Sequence, residues 1–225
     1  NHRIQMTTED ASSAVVHVLG AQLQLELDWS VGIGGGVWSS AEQLVAHFEA
    51  QQETYRQTLH GRRVLELGAG TGLAGFGAAL VSPLSELVLS DVGEHVTLLR
   101  RNVEQNFDTL TQSGVKVRVE TFDWTVEDVG HLDGPFDVLI GTDVAYHESL
   151  YEDVANAIDR TLKPDGVVIL GVTRSDTGPS FFRELVKRGF NYHRIRDEDM
   201  GGKHTNSSFG LFTVWREAEF LDDPR

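Results

Sequence analysis

Between Arg62 and Val81 the chain reads as strand, glycine-rich turn and helix, and few folds accept that order. Arg63-Val-Leu-Glu-Leu67 predicts a buried strand, Gly68-Ala-Gly-Thr-Gly72 a turn, and Leu73 to Val81 a helix of small and apolar residues. Alternate glycines let the main chain take positive φ and approach a ligand closely. The helix that follows offers free N–H groups at its start.

Gly70-Thr-Gly-Leu-Ala-Gly75 also spells G-x-G-x-x-G, the dinucleotide fingerprint. In that fingerprint the first glycine directly follows the strand, a place held here by Gly68. Glu66 adds a carboxylate two residues earlier. Such a charge repels a pyrophosphate but attracts a sulfonium and an α-ammonium, which favours S-adenosylmethionine (SAM) over NAD.

The rest of the chain supplies an alternating pattern. Val16 and Val18, then Leu23, Leu25 and Leu27, with Gly20-Ala21 between, predict an N-terminal hairpin after a loose, polar stretch 1–12. Gly32-Ile-Gly-Gly-Gly36 reads as a flexible link, and Ser39 or Ser40 as the cap of a helix running to about Glu53. Further strands are predicted at Leu87–Ser90, Val115–Val119, Phe136–Ile140 and Val167–Leu170. Helices are predicted at Glu94–Asn106, Glu148–Leu162 and Phe181–Arg188, with a turn at Lys163-Pro-Asp-Gly166. Phe190–Ile195 and Phe209–Trp215 read as a closing antiparallel pair. Strands alternating with helices predict an α/β domain with a mostly parallel sheet, helices on both faces and an antiparallel C-terminal edge strand. A chain of 225 residues suits one such domain, with the hairpin and first helices in 1–60 and the core in 61–216.

Ligands of such sheets bind beyond the carboxyl ends of the strands. That places Gly68, Ala69, Gly70, Thr71 and Gly72, then Asp91 with Val92, Asp123-Trp124, and Thr142 to Tyr146 around one cleft. Asp91 can accept both ribose hydroxyls of an adenosine ligand, or cap the next helix. Asp123 can accept from an adenine amino group with Trp124 over the ring, or the pair can be a solvent-edge acid and a packing indole. Asp143 and Tyr146 are an acid and a ring three residues apart, which by themselves read as a helix cap and a packed aromatic.

The motifs together carry a resemblance. Val64-Leu-Glu-Leu-Gly-Ala-Gly-Thr-Gly-Leu73 looks like motif I of SAM methyltransferases. Gly36-Val-Trp-Ser-Ser-Ala-Glu-Gln-Leu44, Asn102-Val-Glu-Gln-Asn106 and Asp143-Val-Ala-Tyr146 resemble segments of the family 16 branch, the seven-β-strand protein-lysine methyltransferases. Ser39 departs from that pattern, where an aspartate commonly follows the tryptophan. Over roughly residues 13–216 the resemblance implies a Rossmann-like seven-stranded sheet. It implies SAM as cofactor, S-adenosylhomocysteine (SAH) as product, and a protein substrate presenting a lysine. It implies that Trp38 packs near the cofactor, that Glu66 and the glycines of the turn cradle its methionine part, and that Asp143 and Tyr146 face the amine. The alternatives are another protein side chain such as Arg or His, a small amine, or a non-catalytic SAM-binding scaffold.

Composition bounds the rest. With no cysteine, disulfides, thiolate metal sites and cysteine nucleophiles are excluded. Nine histidines lie scattered without ligand spacing, so no metal is expected. A net charge of −15 disfavours a nucleic acid and suits a basic partner. No apolar run approaches membrane-spanning length, and no basic-then-apolar signal pattern opens the chain. A monomer in the cytoplasm or nucleus is expected.

Overall fold

A computed structural model of the chain describes residues 12–200 and 208–216, together with the backbone of Ile4–Met6. Three strands, β1 (Ile4–Met6), β2 (Ser13–Val18) and β3 (Ala21–Glu26), form a small antiparallel sheet. Seven more form the main sheet: β4 (Arg63–Leu67), β5 (Glu86–Asp91), β6 (Lys116–Thr121), β7 (Phe136–Thr142), β8 (Leu162–Thr173), β9 (Phe190–Arg194) and β10 (Phe209–Arg216). Their order is β6-β5-β4-β7-β8-β10-β9. The first five in that order are parallel, and β10 runs antiparallel to both β8 and β9. The expected antiparallel pairing is thus present, with the C-terminal strand one place in from the outermost strand.

The helices are α1 (Ser39–Ala50), α2 (Gln52–Leu59), α3 (Leu73–Val81), α4 (Glu94–Thr111), α5 (Tyr151–Thr161) and α6 (Pro179–Lys187). Alternation along the strands divides the core into two clusters. Val64, Leu87, Leu89, Val138, Ile140 and Ile169 pack with α1 to α4 and the N-terminal sheet. Leu65, Leu67, Val88, Leu139, Val168 and Leu170 pack with α5 and α6. Burying each such side chain contributes about 1.5–3 kcal/mol, so near-continuous apolar runs are what a sheet covered on both faces requires. The chain builds outward from β4 to β6, then returns to β7 on the other side of β4. The gap beyond β4 and β7 is therefore the topological switch point.

Five local expectations change. The stretch expected to be loose contains β1, paired with Ala14–Val16, while residues 1–3 and 7–11 lie outside the described residues. Gly32–Gly36 is not a flexible link but two short 3-10 turns, Trp29–Val31 and Ile33–Gly35, packed on their surroundings. The helix expected from Ser39 to Glu53 breaks at Gln51 (φ −111°, ψ 34°), whose Nε2 donates to the carbonyl of Asp199 at 3.1 Å. Trp38, not a serine, holds the cap position of α1. The turn expected at Lys163–Gly166 is absorbed into β8, which meets β7 with an irregular register between Phe136 and Val138.

Candidate active site

The glycine turn is held from two sides. Its φ values are positive at Gly68 (58°), Gly70 (54°) and Gly72 (90°), a region other residues enter at a cost. The Ala69 N–H donates to the Ser90 carbonyl at 2.9 Å, and the Gly70 N–H donates to Asp91 Oδ2 at 2.8 Å. Above the turn, a Cβ at Gly68 would meet Val144 Cγ1 at 3.2 Å and the Trp124 ring at 3.3 Å. A Cβ at Gly70 would lie 2.9 Å from the Gly34 carbonyl oxygen. Bare backbone at these two positions is therefore what leaves room in the cleft. Thr71 is buried, with its carbonyl taken by Asn102 Nδ2 at 3.1 Å.

The other strand ends converge here. Asp91 also accepts from the Val92 N–H at 2.8 Å, so each of its oxygens holds one backbone donor and keeps a second lone pair. It does not cap α4, whose cap position is Gly93. Val92 itself is exposed. His95 lies one turn on, with Nδ1 3.5 Å from Asp91 Oδ1 and its ring against Gly32 and Gly34. Asp123 Oδ1 accepts from both the N–H and the hydroxyl of Thr125, which hold its pKa below the usual range. Trp124 lies over Gly68, and its Nε1 is buried with no partner among the described residues. An unmet donor against a glycine cradle fits a ligand with acceptor atoms, as an adenosine group has.

Glu66 departs from its expected role. Strand alternation turns it to the side of Val64, beneath α3, where it is 1 % exposed and accepts from the Gly75 N–H at 2.9 Å. Burial, opposed by that N–H and reinforced by the charge of Asp91, pushes its pKa up to about 8. Burial thus favours the neutral, protonated form of this carboxyl in the chain alone. Its place under the helix ties the turn to the sheet.

Asp143 stands at the switch point in a left-handed conformation (φ 52°). Its N–H donates to the Gly171 carbonyl at 2.8 Å. Its Oδ1 accepts from the Thr173 N–H at 2.6 Å and its Oδ2 from the Thr173 hydroxyl at 3.0 Å. The carboxylate is therefore fixed by the end of β8 and does not cap the following helix. Thr142 precedes it, half-buried at the end of β7, and Val144 follows, buried against Gly68. Tyr146 is 43 % exposed and so is not a packed core ring. His147 caps the next turn, accepting from the Ser149 N–H at 3.3 Å. Two further bonds hold the loops after β7 and β8 together: Thr177 Oγ1 to the Ala145 carbonyl at 2.9 Å, and the Gly178 N–H to Tyr151 Oη at 2.7 Å.

Trp38 is 41 % exposed, not a core tryptophan. Its Nε1 donates to the Ile33 carbonyl at 2.7 Å, and its ring meets Trp29 edge-on at 6.2 Å. It braces the segment whose Gly34 carbonyl covers the glycine turn. Among the described residues no cluster of His, Asp and Glu is placed to hold a metal ion, and no helix is long and apolar enough to cross a membrane.

Known proteins are similar to this chain in sequence and in fold. The sequence profile of a family described as lysine methyltransferase matches residues 19–188. Calmodulin-lysine N-methyltransferase of Arabidopsis thaliana is 30% identical over 159 residues, 69% of this chain. The match covers 50% of that relative, so the chain spans about half its length. EEF1A lysine methyltransferase 3 of Mus musculus is 30% identical over 173 residues, 76% of this chain and 70% of the relative. Among solved structures, the T. thermophilus 16S rRNA N2 G1207 methyltransferase in complex with AdoMet and guanosine superposes with a TM-score of 0.63 at 18% identity. That superposition covers 91% of this chain and 50% of the other, a likeness of fold alone.

Proposed function

The chain belongs to the lysine methyltransferase family, and we propose that it transfers a methyl group from SAM to the side-chain amine of a lysine in a protein. The observation that carries this reading is Asp143, a carboxylate that Thr173 clamps through both oxygens and whose chain neighbour Val144 packs against the bare backbone of Gly68. In this reading Gly68 to Gly72 border the methionine part of the cofactor. The outward lone pairs of Asp91 take the ribose, Asp123 and Trp124 take the adenine, and Val92 and Thr142 line the cleft. Trp38 braces the wall. SAM supplies an electrophilic methyl group on a sulfonium.

Asp143 attracts the incoming ammonium and orients it, and the exposed ring of Tyr146 offers its face to the same cation. The nucleophile has to be neutral, and a free lysine has a pKa of about 10.4. Asp143 alone favours the charged amine, so its part is to bind and aim. The sulfonium of bound SAM would favour loss of the amine's proton to water. SAM would supply the methyl group to the neutral amine, its C–S bond breaking with the electron pair kept on sulfur. The acidic chain, at −15, suits a basic partner.

The test uses radiolabelled SAM with two recombinant, unmethylated acceptors suggested by the relatives, calmodulin and elongation factor 1A, and with proteins from cells lacking this enzyme. Label on lysine, lost in Asp143→Asn while SAH binding by calorimetry persists, is the expected result. Label on arginine or histidine, or on no protein although SAM binds, overturns it.

A further inference from the structure

Among the described residues strand β3 has a neighbouring strand only on one side, yet its other edge is satisfied. Asn106 Oδ1 accepts from the Gln24 N–H at 2.9 Å, and its Nδ2 donates to the Gln24 carbonyl at 2.7 Å. Asn102 repeats the pattern on Glu26, at 2.7 and 3.1 Å. Positions four apart on a helix are separated by about 6 Å along its axis, and positions two apart on a strand by about 6.8 Å. Two side-chain amides on α4 can therefore stand in for a missing strand. Arg101 adds a two-pronged grip on the Glu26 carboxylate.

The two asparagines differ in their second amide hydrogen. Asn106 spends it within its own helix, on the Asn102 carbonyl at 2.7 Å. Asn102 sends it to the Thr71 carbonyl in the glycine turn, at 3.1 Å. Asn102 is fully buried and has both donors and its acceptor engaged. One planar amide thus joins the last residue of β3, helix α4 and the turn. Immediately after β3 comes the segment from Asp28 to Trp38, which carries Gly34 across Gly70.

We infer that Asn102 is a positioning residue that couples cofactor binding to docking of the N-terminal sheet, by setting the glycine turn and the segment covering it from one amide. Coupling of this kind is reciprocal: whatever orders the turn also holds the sheet, and the reverse. The inference rests on the cofactor reading of the glycine turn.

Asn102→Leu is compared with Asn106→Leu, which breaks the same grip on β3 without touching Thr71. Calorimetry reads SAH affinity, thermal unfolding reads stability, and amide exchange reads β3 with and without SAH. In the wild type SAH should slow exchange across Ala21–Glu26. Asn106→Leu should lower Tm and speed that exchange, with SAH affinity held within about twofold, whereas Asn102→Leu should weaken SAH by about tenfold or more. The inference is overturned if both variants lose SAH affinity in proportion to lost Tm. Should Asn102→Leu not fold, the wild-type exchange decides, since SAH that binds without slowing β3 exchange also overturns it. A wild type that binds no SAH refutes the cofactor reading itself, and this inference with it.

Discussion

Replacing Glu66 with glutamine tests how the fold treats its one deeply buried carboxyl beside the turn. Glu66 is 1 % exposed, and its pKa rises from 4.5 to about 8. Between those values the folded chain holds a proton that the unfolded chain has lost. Unfolding then releases a proton, so stability falls as pH rises through the window and is flat above it. This is opposite in sign to a salt-bridged aspartate. At about 1.4 kcal/mol per pH unit, the whole window amounts to about 5 kcal/mol. Glu66→Gln keeps an oxygen for the Gly75 N–H and removes the titration. Urea unfolding of both proteins, followed by tryptophan fluorescence, gives the difference directly, because every other titrating group cancels. From about pH 5 to about pH 8 the variant should gain roughly 4 kcal/mol on the wild type. Curves that stay parallel over that range would refute a neutral Glu66 and restore it as an anion available to a cationic ligand.

Two further outcomes follow from the clamp and the cradle. Thr173→Val removes one of the two donors on Asp143, a loss of about 1–1.5 kcal/mol, or about tenfold in kcat, with SAH affinity unchanged and Thr173→Ser restoring the rate. Steady-state kinetics that leave kcat at the wild-type value count against the clamp. Gly70→Ala puts a methyl 2.9 Å from the Gly34 oxygen at φ 54°, while Gly61→Ala imposes a similar φ of 66° in open space. Both should cost about 1–2 kcal/mol of stability, but only Gly70→Ala should abolish SAH binding in calorimetry.

Much of the fold was legible because the main strands carry their own evidence. Val64–Leu67, apart from Glu66, and Leu87–Leu89 and Val138–Ile140 are apolar on both faces, which a covered parallel sheet accepts. Glycine content, by contrast, misled at Gly32–Gly36. There Gly34 and Gly36 are small because the imidazole of His95 and the ring of Trp29 press on them, Gly35 because the Asp28 carbonyl does, and only Gly32, at φ 112°, uses glycine's freedom. Pro164 and Gly166 likewise suggested a turn; they lie within β8 at an irregularity, where Lys163 to Gly166 stand against Asp137 alone, between the pairs Phe136–Leu162 and Val138–Val167. The break between α1 and α2 has no local breaker at all. Gln51 reaches residue 199, a contact that no window of sequence contains.

The site divides along the same line. The glycine turn and Asp143 were readable because backbone conformation and motif spacing are local. The charge of Glu66 was not, because it depends on which face of β4 the side chain takes and on what covers that face. Thr173 carried no signal of its own, and Asn102 entered only as part of the Asn102–Asn106 resemblance; their partners lie 30 and 31 residues away. Yet these two account for what the motifs leave open. A left-handed aspartate costs about 1–2 kcal/mol, and a carboxylate on a free turn would point in many directions. Thr173 offsets that cost with two bonds and selects one direction; Asn102 does the same for the glycine turn. Motifs therefore name the groups of the proposed site, while the contacts that aim those groups come from elements that only the folded sheet brings near.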